Sequence, residues 1–226
     1  MRYRSLTRAI EPTSEPVTLA EVKLHIRIDN ANDDALLTNL IAAARAWAES
    51  YCDRTFCFTQ WTLRTDSFYG NVGSPSQFGL KADGNNIEGR ANTVPNLDVE
   101  LPRPPMVTSG TATSVSVSYT PNVSGTTATL STSEFRIDRF STPGALRPNY
   151  GGTWPSHLLD QNSVSVSWYA GYSADGTSVP AQVKAALLMI VSHLWSNREL
   201  ASDVALMEIP VGVKAMLDSI RWGAYQ

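Results

Sequence analysis

The spacing of apolar residues changes twice along this chain, and that change constrains the fold more than any other feature. Near the start, Leu19, Val22 and Ile26 recur at i, i+3 and i+7, a spacing that gathers side chains on one helix face. Leu36, Leu37, Leu40, Ile41, Ala44, Trp47, Ala48 and Tyr51 then sustain a one-face pattern over about 33–51. From about Thr55 to Tyr172 the period is two. Trp61, Leu63 and Thr65 alternate with polar residues, as do Leu97, Val99 and Leu101, then Val115, Val117 and Tyr119, then Phe135 and Ile137, then Val164, Val166 and Trp168. Such alternation marks strands. The helical period returns after Val179 with Val183, Leu187, Ile190, Val191 and Leu194, and again with Val213, Met216, Leu217 and Ile220. A helix pair at each end of a chain, too small to form a core alone, is most simply joined in one bundle. The expected fold is therefore α+β: a small four-helix bundle built from both ends, residues 1–58 and 179–226, with a β-rich region, 59–178, inserted between them.

Local signals support the helix starts. Thr18-Leu19-Ala20-Glu21 is a capping box, in which the Thr18 hydroxyl accepts from the Glu21 N–H and the Glu21 carboxylate accepts from the Thr18 N–H. Asp33 and Asp34 sit where a helix dipole favours negative charge. Pro180 suits a first helical position. Pro12 and Pro16 keep residues 1–17 extended. Turn clusters such as Pro121-Asn122-Val123-Ser124-Gly125 separate the strands. Residues 68–96, rich in Gly, Asn and Ser, read as a long loop, of the kind that is functional or mobile.

Little in the chain points to catalysis. No G-x-S-x-G, H-E-x-x-H, phosphate-binding or dinucleotide glycine motif occurs. His157 near Asp160 and His193 on the third helix read as ordinary loop and helix residues. The pair Glu199 and Asp203 lacks further oxygen ligands nearby. Two cysteines, Cys52 and Cys57, and three scattered histidines give neither a disulfide framework nor a zinc site. No metal and no cofactor are expected. Net charge is -3, without the basic excess of a free nucleic-acid binder. No run approaches the roughly 20 apolar residues of a membrane span, and residues 1–10 lack the apolar core of a secretory signal. The expected location is the cytoplasm in which the protein is made.

Two segments look built for contact. Residues 199–209 should be a solvated connection, yet they hold Leu200, Val204, Leu206, Met207 and Ile209, apolar content that calls for a surface such as a neighbouring copy. The alanines of the second helix would also permit close approach of another helix. The chain ends with Arg221, Trp222 and Tyr225 beyond the last periodic position. These residue types are enriched at binding hot spots, so the tail either docks on a partner or folds back on its own bundle.

Three stretches together resemble the head-tail connector, or adaptor, family of tailed phages. The first is Glu15-Pro16-Val17-Thr18-Leu19-Ala20-Glu21-Val22, followed by Asp33-Asp34-Ala35-Leu36-Leu37. The second is Trp168-Tyr169-Ala170-Gly171-Tyr172 with Val179-Pro180. The third is His193-Leu194-Trp195-Ser196-Asn197-Arg198-Glu199, then Pro210-Val211-Gly212-Val213. The resemblance covers the helical half, and the β region matches only in type. It implies a non-enzymatic subunit of a virion neck: a homo-oligomeric, dodecameric ring under the portal protein, docking stopper or tail proteins below, with DNA passing through the channel without sequence-specific binding. The tail residues would dock on the portal. The alternatives are a stopper or tail-completion protein, or, in another class, a glycan- or receptor-binding module of the virion. A hydrolase has least support.

Overall fold

A computed structural model describes residues 5–68, 98–108, 114–197 and 210–222. It contains four helices and eight strands. In chain order these are β1 (Ser5–Ile10), α1 (Leu19–Ile26), α2 (Asp34–Cys52), β2 (Thr59–Thr65), β3 (Val99–Leu101), β4 (Ser116–Tyr119), β5 (Ala128–Thr129), β6 (Phe135–Asp138), β7 (Gly144–Pro148), β8 (Val164–Ala170), α3 (Ala181–Ser196) and α4 (Val211–Asp218). The chain divides into two compact units. One comprises 1–11, 60–102 and 108–169, and the other 12–59, 103–107 and 170–226.

The helical unit is not the expected four-helix bundle, although the chain is α+β. Helix α2 has 19 residues and α3 has 16, but α1 and α4 have 8 each. At 1.5 Å per residue the short helices reach only about 12 Å, too little to run beside α2 along its length. Segments outside the helices complete the core instead. Val17, Phe56, Cys57 and Val179 are buried in one cluster with Val22, Leu37, Ile41, Ala44, Val183, Leu187, Ile190, Val213 and Leu217. Fully burying a Val, Leu or Phe side chain stabilises by about 1.5–3 kcal/mol.

Helix α1 opens on the capping box. The Glu21 N–H donates to Thr18 Oγ1 at 3.2 Å, and the Thr18 N–H donates to Glu21 Oε2 at 2.6 Å. Helices α1 and α2 both end on a left-handed residue, Arg27 and Asp53. Lys23 of α1 pairs with Asp34 of α2 at 2.7 Å.

The β unit holds a five-stranded sheet in the order β1-β2-β8-β4-β5 and a three-stranded sheet in the order β3-β7-β6. Period-two patterning sets the faces. In β8, Val164, Val166, Trp168 and Ala170 are buried and the residues between them are half-buried. In β2, Trp61 and Leu63 point inward, and Thr62 and Arg64 lie on the opposite face. The N-terminal segment, read as extended, is the edge strand β1, pairing antiparallel to β2 with Leu6 opposite Leu63.

Candidate functional site

The tail residues singled out in the sequence begin where the C-terminal turn of α2 meets the end of α4. Helix α2 is helical through Cys52, then reverses at Asp53, whose N–H bonds back to the Glu49 carbonyl. This turn leaves the carbonyl of Cys52 available to the chain leaving α4, and the Trp222 N–H takes it at 2.9 Å. Arg54 Nε donates to the Ile220 carbonyl. The Tyr51 hydroxyl donates to Asp218 Oδ1 at 2.7 Å. The Arg221 guanidinium lies over the Tyr51 ring, 5.1 Å from its centroid, and Trp47 stacks on the same ring at 5.2 Å.

Arg221 and Trp222 are thus rooted on α2. Arg221 is exposed and Trp222 half-buried. The hydrogen bond to Asp218, aided by burial, pushes the Tyr51 phenol above its ordinary value, so the ring stays neutral. Tyr225 lies outside the described residues. So do the five apolar residues of the connecting segment, Leu200, Val204, Leu206, Met207 and Ile209. The structure therefore brings together two of the eight residues named from the sequence.

A buried charge network, unread in the sequence, fixes this end of α2. Arg45 and Glu49 are 6% and 0% exposed. Arg45 Nε donates to Glu15 Oε2 at 2.7 Å, and its Nη1 donates to Glu49 Oε2 at 3.1 Å. The other oxygen of Glu49 accepts the Phe56 N–H at 2.8 Å. Arg103 Nη1 donates to the Glu49 carbonyl at 3.0 Å and pairs with Asp53 at 3.2 Å. Burial opposes the Arg45 charge, but the bonds to Glu15 and Glu49 outweigh it and hold its proton more tightly. The signal was an Arg-Glu pair at i, i+4, each member directly after an apolar position, Ala44 and Ala48. Cys52 and Cys57 are buried free thiols, and burial pushes both up to about 12.

The faces of α2 and α1 also carry open apolar and small residues. Ala35, Ala43 and Ala46 are exposed, whereas Ala44 and Ala48 are buried. Leu36 is 38% exposed, and Leu24 of α1 is 82% exposed. Among the described residues no group of three or more His, Cys, Asp or Glu is placed to hold a metal, and no helix is long and apolar enough to cross a membrane. The arrangement is a set of packing contacts with open apolar and small residues beside them.

Comparison with known proteins agrees with this character. Residues 16–85 match the family described as phage gp6-like head-tail connector protein. No curated protein matches the chain. A chain in the neck of an empty gene transfer agent (GTA) particle, computed with C6 symmetry, is similar at TM-score 0.67 and 16% identity, over 96% of this chain and 95% of that one. A chain in the virion of the native particle gives TM-score 0.65 at 16% identity, over 96% and 94%. A chain in the neck of the native particle computed with C12 symmetry gives 0.63 at 16% identity, again over 96% and 94%. At this identity the likeness speaks for the fold, which the GTA chains share across both units. The family match falls on the segment that carries α1, α2 and their capping box, so residues 16–85 are similar to the head-tail connector family and the whole chain shares the fold of the neck chains.

Proposed function

We propose that this chain is a structural subunit of a virion neck, assembling as a ring under the portal, extending the DNA channel and presenting a docking surface for stopper or tail proteins. One observation carries this reading. The likeness to neck chains extends over 96% of this chain, β unit included, while the family match falls on residues 16–85. Ring formation draws support from the symmetry of the neck structures that the fold resembles. The protein acts by assembly and not by catalysis. In keeping with that, both thiols are buried and pushed up to about 12, which leaves no ready thiolate nucleophile.

Contacts between copies would use the open face of α2 and the residues Leu200, Val204, Leu206, Met207 and Ile209. The tail residues Arg221, Trp222 and Tyr225 would dock on the portal. An arginine and a tryptophan held at their root need less ordering on binding than a free tail. DNA would pass through the channel without sequence-specific contact, and the protein would be made in the host bacterial cytoplasm.

Fractionation and imaging of particles test the assignment. The protein should remain on DNA-filled, tailless heads, and a neck reconstruction should show twelve copies in a ring. Departure with the tails or fibres would favour a receptor-binding module. A count of one to six copies would reject the ring.

A further inference from the structure

The five-stranded sheet carries a cleft that the neck assignment does not use. Its volume is about 360 Å³. Strands β2, β8 and β4 are neighbours in the sheet, and Arg64, Ser165 and Ser118 from these strands line the cleft. Ser118 and Ser165 are register partners across β4 and β8. The patterning that buries Leu63, Val164, Val166 and Val117 turns these three side chains to the other face. A positive charge and two hydroxyls therefore stand on one floor.

The rim is held in place. Asn162 adopts a left-handed conformation, φ 56°. Its N–H donates to Asp66 Oδ1 at 3.0 Å, and the Ser163 hydroxyl donates to the Asp66 carbonyl at 2.8 Å. The Thr120 N–H bonds the Ser163 carbonyl at 2.9 Å, locking the turn to the end of β4. Tyr119 and Thr127 close the remaining side.

The donor set defines the ligand chemistry. Among the described residues that line the cleft, Arg64 is the one charged side chain and none is a carboxylate. Arg64 has no acidic partner among the described residues. Hydroxyls, an amide and a guanidinium, with the rim carboxylate of Asp66 engaged by the Asn162 N–H, suit an oxyanion with several oxygens. Sugar sites lean on carboxylate acceptors for their hydroxyls, and none is present among the described residues lining this cleft. The volume exceeds what a bare phosphate needs.

We propose that this cleft binds a phosphate carried on a sugar, as in a nucleotide or a nucleic-acid strand, with Arg64 pairing with the phosphate and Ser118, Ser165 and Asn162 donating to its oxygens. The site lies within the β unit and does not depend on the neck reading. A single arginine gives weak, salt-sensitive binding.

The test uses the full chain at low salt, titrated with inorganic phosphate, a deoxynucleoside monophosphate, a short single-stranded oligodeoxynucleotide and acetate, and read by amide chemical shifts. Shifts should gather at residues 118–120 and 162–165. Arg64→Gln should weaken binding about tenfold or more, the size expected for loss of a charged hydrogen bond. Arg136→Gln, on the other sheet and stacked on Tyr150 at 4.1 Å, should leave it unchanged. Should Arg64→Gln fail to fold, the double change Ser118→Ala with Ser165→Ala carries the same expectation. Binding by the strand alone assigns the site to nucleic acid, and equal binding by the mononucleotide assigns it to free nucleotide. The proposal is overturned by acetate binding as well as phosphate, which would mean a protein carboxylate as partner. It is equally overturned by no binding, or by equal losses in Arg64→Gln and Arg136→Gln.

Discussion

Gly171 shows how one residue ties sequence to fold. Its φ is +129°, and a Cβ there would lie 2.6 Å from the carbonyl carbon of Cys57. The close approach serves two backbone bonds, from the Gly171 N–H to Pro105 and from the Tyr172 N–H to Phe56, both 2.8 Å. Gly171→Ala should therefore cost at least about 2 kcal/mol, read from urea denaturation. Gly212, with open space around its Cα, has no such duty. Gly212→Ala should be neutral or stabilise α4 by up to about 1 kcal/mol. The capping box gives a pH signature. Its hydrogen bonds from Thr18, backbone first and hydroxyl second, hold the Glu21 carboxyl below its ordinary value. The linked stability is fully present above the ordinary glutamate value and is lost as pH falls through the lowered one. Thr18→Ala should cost about 1 kcal/mol at neutral pH. The stability difference between the wild type and Glu21→Gln should shrink on acidification, and a difference independent of pH would contradict the box.

At the level of elements, the periods that placed α1 to α4 on the sequence also located β2, β3, β4, β6 and β8 to within a few residues, because each buries one face. The weaker strands escaped notice for physical reasons. Strand β5 is two residues long, and β7 buries Leu146 between Gly144 and Pro148 with little alternation of apolar side chains. Strand β1 borrows its order from pairing with β2, a contact some 55 residues distant in sequence. The buried face of α2 is rotated from the apolar stripe read in the sequence. Leu37, Ile41, Ala44, Ala48 and Cys52 point inward, together with Arg45 and Glu49, while Leu36 stays exposed and Leu40, Trp47 and Tyr51 are half-buried. Apolar spacing gives no notice of Arg45 and Glu49, yet a charge with enough partners can be buried. The bundle expectation failed similarly, since periodicity reports a face but not whether loops such as that at Phe56 and Cys57 fill the core. Glu49→Ala removes the acceptor of both the Phe56 N–H and Arg45, and breaking a buried pair costs about 3–5 kcal/mol. Replacing Arg45 and Glu49 together by Met should recover part of that loss in the same urea assay, and equal losses would mean that Glu49 acts through Phe56 alone.

For the whole molecule, the C-terminal tail is the segment proposed to join this chain to its partner. Half of that region was legible: Arg221 and Trp222 were marked by residue type, but the ring of Tyr51 and the carbonyl of Cys52 that receive them lie about 170 residues earlier in sequence and carry no local signal. Ending the chain after Ile220 keeps the buried Val213 and Leu217 and the bond from Arg54 to the Ile220 carbonyl. It removes the Trp222–Cys52 hydrogen bond and the Arg221–Tyr51 contact, together worth about 1–2.5 kcal/mol. The truncated protein should therefore fold, with an unchanged circular dichroism spectrum and a modestly lower urea midpoint. Its attachment to heads lacking the native protein should nonetheless fall sharply, because a hot-spot tryptophan typically contributes 2 kcal/mol or more, roughly a thirtyfold loss or greater. Trp222→Ala separates the two effects, since it keeps the backbone bond to Cys52 and loses only the side chain. Co-sedimentation of each folded variant with such heads gives the answer. Full co-sedimentation of both would reject the tail as the portal anchor and shift the contact to the open face of α2 or to residues 200–209.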